Sequence, residues 1–100
     1  MTGEQLLAAV TGTIKADYPM LRCFHSGGSL RDSMPGWPDL AIAGPGGFLT
    51  AECKGPDEEL SPDQVAWKWS LQGAGVQWRL YRESAWPITI RADLDRLAGL

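Results

Sequence analysis

Basic residues are in the minority in this chain. Nine Lys and Arg stand against twelve Asp and Glu, for a formal charge of −3. That balance excludes the broad positive field with which many proteins attract nucleic acid, so a nucleic-acid partner would need a local patch. Carboxylates that bind a metal would also inflate the acidic count. Cysteine is scarce: Cys23 and Cys53 are the only two. Two cysteines do not make a disulfide scaffold, and without an export signal they read as reduced thiols. Histidine occurs once, at His25. Cys23, His25 and Cys53 lack the paired spacing of a zinc site. No apolar run reaches the roughly 20 residues of a membrane-spanning helix. The first residues, MTGEQLLAAV, carry an acid and no basic region, unlike a signal peptide. These absences predict a cytoplasmic protein. Repeats, low-complexity tracts and linkers are missing too.

What is present is a globular composition. The chain is 44% apolar with five Trp in 100 residues, which predicts one domain over residues 1–100 with a core just large enough to fold alone. Thr2 to about Asp17 reads as a helix. Thr2 is its cap, Gln5 is the capping-box partner, and Leu6, Leu7, Val10 and Ile14 form its apolar face. Leu21 to His25 reads as a strand, and Ser26 to Trp37 as a loop. Ser61 caps a second helix with Pro62 at its first position and Gln64 closing the box. Trp67 and Trp69 on this helix read as core. Val76 to Tyr81 alternates as a strand. In the tail, Ile88 and Ile90 alternate briefly, and Arg91 to Ala98 reads as a last helix. The expected fold class is α/β, a small mixed sheet flanked by helices. The second helix should act as a crossover that sets the Val76 strand parallel to a neighbour.

The chemistry concentrates in Gly36 to Lys54, GWPDLAIAGPGGFLTAECK. Leu40 to Ala43 and Phe48 to Lys54 read as two strands around a Gly/Pro turn, a hairpin with a loop longer than two residues. Antiparallel pairing brings Asp39 and Glu52 to the same end. Residues i and i+2 share a strand face, so Glu52 and Lys54 point one way and Cys53 the other. Two carboxylates and an amine therefore converge. Two carboxylates can hold a hard cation such as Mg²⁺ through oxygen, and the amine can sit beside a phosphate or a bound water. Taken alone, Glu52-x-Lys54 is also what an ordinary solvated strand face looks like.

Pro38-Asp39 followed by Glu52-Cys53-Lys54 resembles the PD-(D/E)xK nuclease signature. With Leu60 to Trp67, LSPDQVAW, the chain resembles the virus-type replication-repair nuclease (VRR-NUC) family over roughly residues 1 to 85. The resemblance implies a restriction-endonuclease-like core and a divalent-metal-dependent deoxyribonuclease. The implied substrate is branched or four-way junction DNA. Asp39 and Glu52 would hold Mg²⁺ or Mn²⁺ together with the backbone carbonyl of Cys53. Lys54 would orient or deprotonate the attacking water, or neutralise developing charge. Glu4 has two readings: an acid suited to the helix dipole, or a further metal ligand, as first-helix acids are in this superfamily. Gln64 also has two, as the cap partner or as a site residue beside Lys54, and one amide can serve both. Arg31 in the loop and Lys68, one turn beyond Gln64, can reach DNA phosphates or be merely solvated. Compact members of the family are common in phages and bacteria, so the implied setting is the cytoplasm of a bacterial or phage-infected cell. One Asp-Glu-Lys set per chain, with aromatic segments such as Trp86-Pro87-Ile88 available for an interface, suggests a homodimer. The alternatives are a catalytically silent DNA-binding module and a protein-interaction domain.

Overall fold

The computed structural model describes residues 1–27 and 33–100. Helix α1 is Gly3–Asp17. The Thr2 hydroxyl accepts the Gln5 N–H at 3.1 Å, and the Gln5 side chain accepts the Thr2 N–H at 2.9 Å. Two of the orphan donors at the helix start are thereby satisfied. Strand β1, Arg22–His25, is short and exposed throughout. Strands β2, Leu40–Gly44, and β3, Gly47–Cys53, form the hairpin. Its loop is tighter than the Gly/Pro cluster suggests. Gly44 pairs with Gly47, leaving Pro45 and Gly46 as a two-residue turn. The tip is held from outside: the Gly46 N–H donates to the Leu97 carbonyl at 2.8 Å.

Helix α2, Pro62–Gly73, carries the second complete capping box. It leads to β4, Gln77–Tyr81. The sheet order is β1-β2-β3-β4, and β4 runs parallel to β3 while the other pairings are antiparallel. The parallel neighbour expected from the α2 crossover is therefore present. A 3₁₀ turn at Glu83–Ala85 precedes α3, Ile88–Ala98. This last helix starts earlier than the brief alternation of Ile88 and Ile90 suggests. Ile90, Leu94 and Leu97 are all fully buried, which is helical and not strand spacing.

One core lies on one face of the sheet. Leu6, Val10 and Ile14 of α1 and Ile90, Leu94 and Leu97 of α3 close over Leu40, Ile42, Leu49 and Ala51. A fully buried leucine contributes about 1.5–3 kcal/mol by leaving water. Polar bonds fix the helices in register. Tyr18 donates to Asp95 at 2.6 Å between α1 and α3, and Tyr81 donates to Asp93 at 2.6 Å between β4 and α3. The opposite face carries Thr50, Glu52 and Trp78, and α2 covers it at the β3–β4 side. Among the described residues no helix is long and apolar enough to cross a membrane.

Candidate active site

The hairpin register sets the first part of the site. Leu40 pairs with Ala51, so Asp39 stands opposite Glu52, as the strand pattern predicts. Asp39 is fixed at both its backbone and its side chain. Its carbonyl accepts the Ser26 N–H at 2.9 Å, and its Oδ2 accepts the Cys53 N–H at 2.9 Å.

Glu52 does not lie on an open, solvated strand face. It is only 1% exposed, because α2 lies over the sheet where an open face would otherwise be. Gln64 Nε2 donates to Glu52 Oε2 at 3.1 Å. Glu52 Oε1 is buried with no donor. Burial, with the Asp39 carboxylate beside it, pushes the Glu52 carboxyl up to about 8 against the opposing pull of Lys54. An acid in that state takes either a proton or a cation.

Both readings of Gln64 hold at once. Its Oε1 accepts the Ser61 N–H at 2.9 Å and closes the cap, while its Nε2 is the donor to Glu52. Cys53 faces the other way, into the core, and burial pushes its thiol up to about 12, which leaves it inert as a nucleophile at neutral pH. Its backbone carbonyl lies against the start of α1. A β-carbon on Gly3 would sit 2.7 Å from that oxygen.

A cleft of about 360 Å³ opens at this end of the hairpin, lined by Glu4, Asp39, Cys53, Lys54, Glu58 and Gln64. Met34 and Trp37 give it an apolar wall. Trp37 is braced edge-on against Trp67 of α2, with ring centroids 4.9 Å apart. The cleft thus joins residues from α1, the hairpin and α2.

No family model and no curated protein matches this chain.

Among the described residues no group of three or more His, Cys, Asp or Glu side chains forms a ready-made metal cluster. The convergent acids are the pair Asp39 and Glu52, and Glu4 lines the cleft as an exposed residue outside that pair. Mg²⁺ is commonly held by one or two carboxylates with waters and substrate phosphate oxygens, so a pair suffices. The donorless, buried Glu52 Oε1 beside a second carboxylate fits a hard cation.

Of the two expected DNA contacts, Arg31 lies outside the described residues and the other falls elsewhere. Lys68 does not line the cleft; its ammonium sits 5.2 Å from the ring centres of both Trp69 and Trp78. Trp69 is not core but 65% exposed. Its periodicity suits a helix, but α2 packs on the sheet with only one narrow face, and Trp69 falls off it. Glu58 is the cleft residue that motif reading missed. Its Oε1 accepts the N–H groups of Gly3 and Gly55, each at 2.9 Å. Those bonds, with Lys54 and Arg82 nearby, hold its carboxyl below the usual range. Only its place in a Gly-Pro-Asp-Glu turn, three residues after Gly55, could have hinted at this.

Proposed function

We propose that this chain is a divalent-metal-dependent nuclease of the PD-(D/E)xK type, similar to VRR-NUC proteins, that hydrolyses DNA phosphodiester bonds. The observation that carries the reading is Glu52: a buried carboxylate with one donorless oxygen, opposite Asp39 and beside Lys54. The element order supports it too. A helix, three antiparallel strands, a helix and a strand parallel to the third is the order implied for a restriction-endonuclease-like core.

Asp39 and Glu52 would hold Mg²⁺ or Mn²⁺, with the Cys53 carbonyl and Glu4 as further oxygen ligands. The bound ion supplies Lewis acidity toward a phosphoryl oxygen and acidifies a water. The chain's own residues do the rest. The Cys53 N–H orients the Asp39 carboxylate, and the Gln64 amide orients that of Glu52. Lys54, half-buried at the cleft, either orients or deprotonates the attacking water as an amine or, as a cation, neutralises the negative charge that grows on the phosphate. The Met34–Trp37 wall limits bulk water on one side.

Branched or four-way junction DNA and a homodimeric working unit complete the proposal. Phe24, Phe48 and Trp69 are 54%, 42% and 65% exposed, and such aromatics suit an interface. The same exposure favours the second reading, a protein-interaction domain on this fold. A panel of labelled single-strand, duplex, flap and junction DNAs, incubated with Mg²⁺, Mn²⁺ or EDTA, separates them. Metal-dependent products support the nuclease; intact DNA in every lane refutes it. Sedimentation at micromolar concentration with and without junction tests the dimer, and a monomer that still makes paired cuts rules it out.

A further inference from the structure

The segment after β3 has a feature that the nuclease motif does not include. Glu58 is exposed and contributes nothing to the core, yet one of its oxygens joins two distant backbone segments. Gly3 is the first residue of α1 and precedes Glu4. Gly55 follows Lys54. The carboxylate thus ties the peptide next to one cleft residue, at the start of α1, to the peptide next to another, at the end of β3.

The surroundings show that the contact is built. Both partners are glycines at sites of close approach. A β-carbon on Gly55 would come within 2.7 Å of Glu58 Oε1, and one on Gly3 within 3.1 Å of it and 2.7 Å of the Cys53 carbonyl. The Gly55 peptide is also held from its other side, where the Arg82 guanidinium donates to its carbonyl. Glu58 closes its own turn through its N–H to the Gly55 carbonyl at 3.2 Å. Helix α1 does not need Glu58 as its cap, because Thr2 and Gln5 already form the box. The Gly3 N–H is one of the two donors that this box leaves over.

We propose that Glu58 is a positioning residue, a clamp that sets Lys54, the Cys53 carbonyl and the Glu4 end of α1 around the Asp39–Glu52 pair. This rests on the function proposed above. Glu58 need not touch substrate. It acts through the two amides, and losing it lets the start of α1 drift from the end of β3, which widens the cleft at the carbonyl and the amine.

The test compares Glu58→Ala with Glu58→Gln in the full chain. Gln keeps an acceptor oxygen at the same reach; Ala removes it. Hydrogen exchange at the Gly3 and Gly55 amides should quicken in Glu58→Ala and return toward wild type in Glu58→Gln. Mn²⁺ affinity by calorimetry should fall about tenfold in Glu58→Ala and be largely restored in Glu58→Gln, as expected for a residue that orients ligands without being one. Cleavage should follow the same order, in kcat more than in KM. Unchanged amide exchange in Glu58→Ala overturns the clamp. Faster exchange and a lower Tm with Mn²⁺ affinity unchanged also overturns it, leaving a structural brace. Wild-type protein that binds no Mn²⁺ and cuts no DNA is a different result, which brings down the nuclease reading itself.

Discussion

The two helix starts invite comparison. Each is capped by a hydroxyl with a glutamine three residues on, Thr2 with Gln5 and Ser61 with Gln64. The local hydrogen bonds are nearly the same, with acceptor distances of 2.9 Å to each glutamine oxygen. Their surroundings differ. Gln5 is exposed and its amide serves the cap alone. Gln64 starts a helix laid over the sheet, so its free Nε2 meets a buried carboxylate. The same four-residue motif is thus a structural device at one end of the molecule and part of the candidate site at the other. What separates them is the partner brought by the fold.

The largest effect should come from removing that partner's neighbour. Asp39→Ala should abolish measurable Mn²⁺ binding by calorimetry and cut cleavage by about 10³-fold, since metal stabilisation is worth several kcal/mol and each ~1.4 is tenfold. Both capping boxes should survive it. Equal Mn²⁺ affinity in variant and wild type would refute the metal pair. Next, Lys54→Ala should reduce cleavage by about 10²-fold, the lower end of what a lost acid–base or charge-stabilising group costs. Its Tm and DNA affinity should stay near wild type. A collapsed Tm with activity kept per folded molecule would instead make Lys54 structural.

Gln64 sharpens the comparison directly. Gln5→Ala should cost about 1 kcal/mol or less in urea unfolding, as a lost cap partner does, and Gln64→Ala more, because it also strips the buried Glu52 of its amide donor. Only Gln64→Ala should also slow cleavage, by about 10–100-fold, the usual cost of losing a ligand-orienting contact. Gln64→Glu keeps the cap acceptor but loses the donor to Glu52, so its cleavage should fall while its cap remains. Equal activity in all three variants would erase the distinction between the helix starts.

The last effect is on stability alone, a pH dependence in metal-free protein. The Glu52 carboxyl is raised from 4.5 to about 8 in the fold. A raised acid means that the folded state holds a proton the unfolded chain releases. Its stabilising contribution is full below pH 4.5 and is lost as pH rises through about 8. In EDTA, Tm should therefore decline across that window, and Mn²⁺ should restore it at the upper end. Glu52→Gln should flatten the decline. A wild-type Tm that rises from pH 5 to 8 in EDTA would contradict the burial argument.

Much of the architecture was legible because its signals are local. Thr2, Ser61, Pro62 and both glutamines announce helix starts through bonds spanning three residues. Two strand-like runs around a Gly/Pro turn, Leu40 to Ala43 and Phe48 to Lys54, announce the antiparallel pairing that brings Asp39 and Glu52 to the same end. The loop of the hairpin was misjudged because Gly44 and Gly47 read as turn residues although both belong to the ladder. Ile88 was misjudged because a first helical turn with one buried residue resembles a short alternation.

The residues by themselves determined most of the elements, the hairpin end where Asp39, Glu52 and Lys54 meet, and the two caps, since each follows from local backbone geometry or from one turn between neighbouring strands. Tertiary structure alone decided that Glu52 is buried, that Gln64 reaches it, that Trp69 is left in water, and that Glu58 closes on an amide 55 residues away. The reason is desolvation and long-range contact. Whether a carboxylate is a solvated surface charge or a desolvated buried acid depends on which helix packs above it, and no periodicity along a strand carries that information.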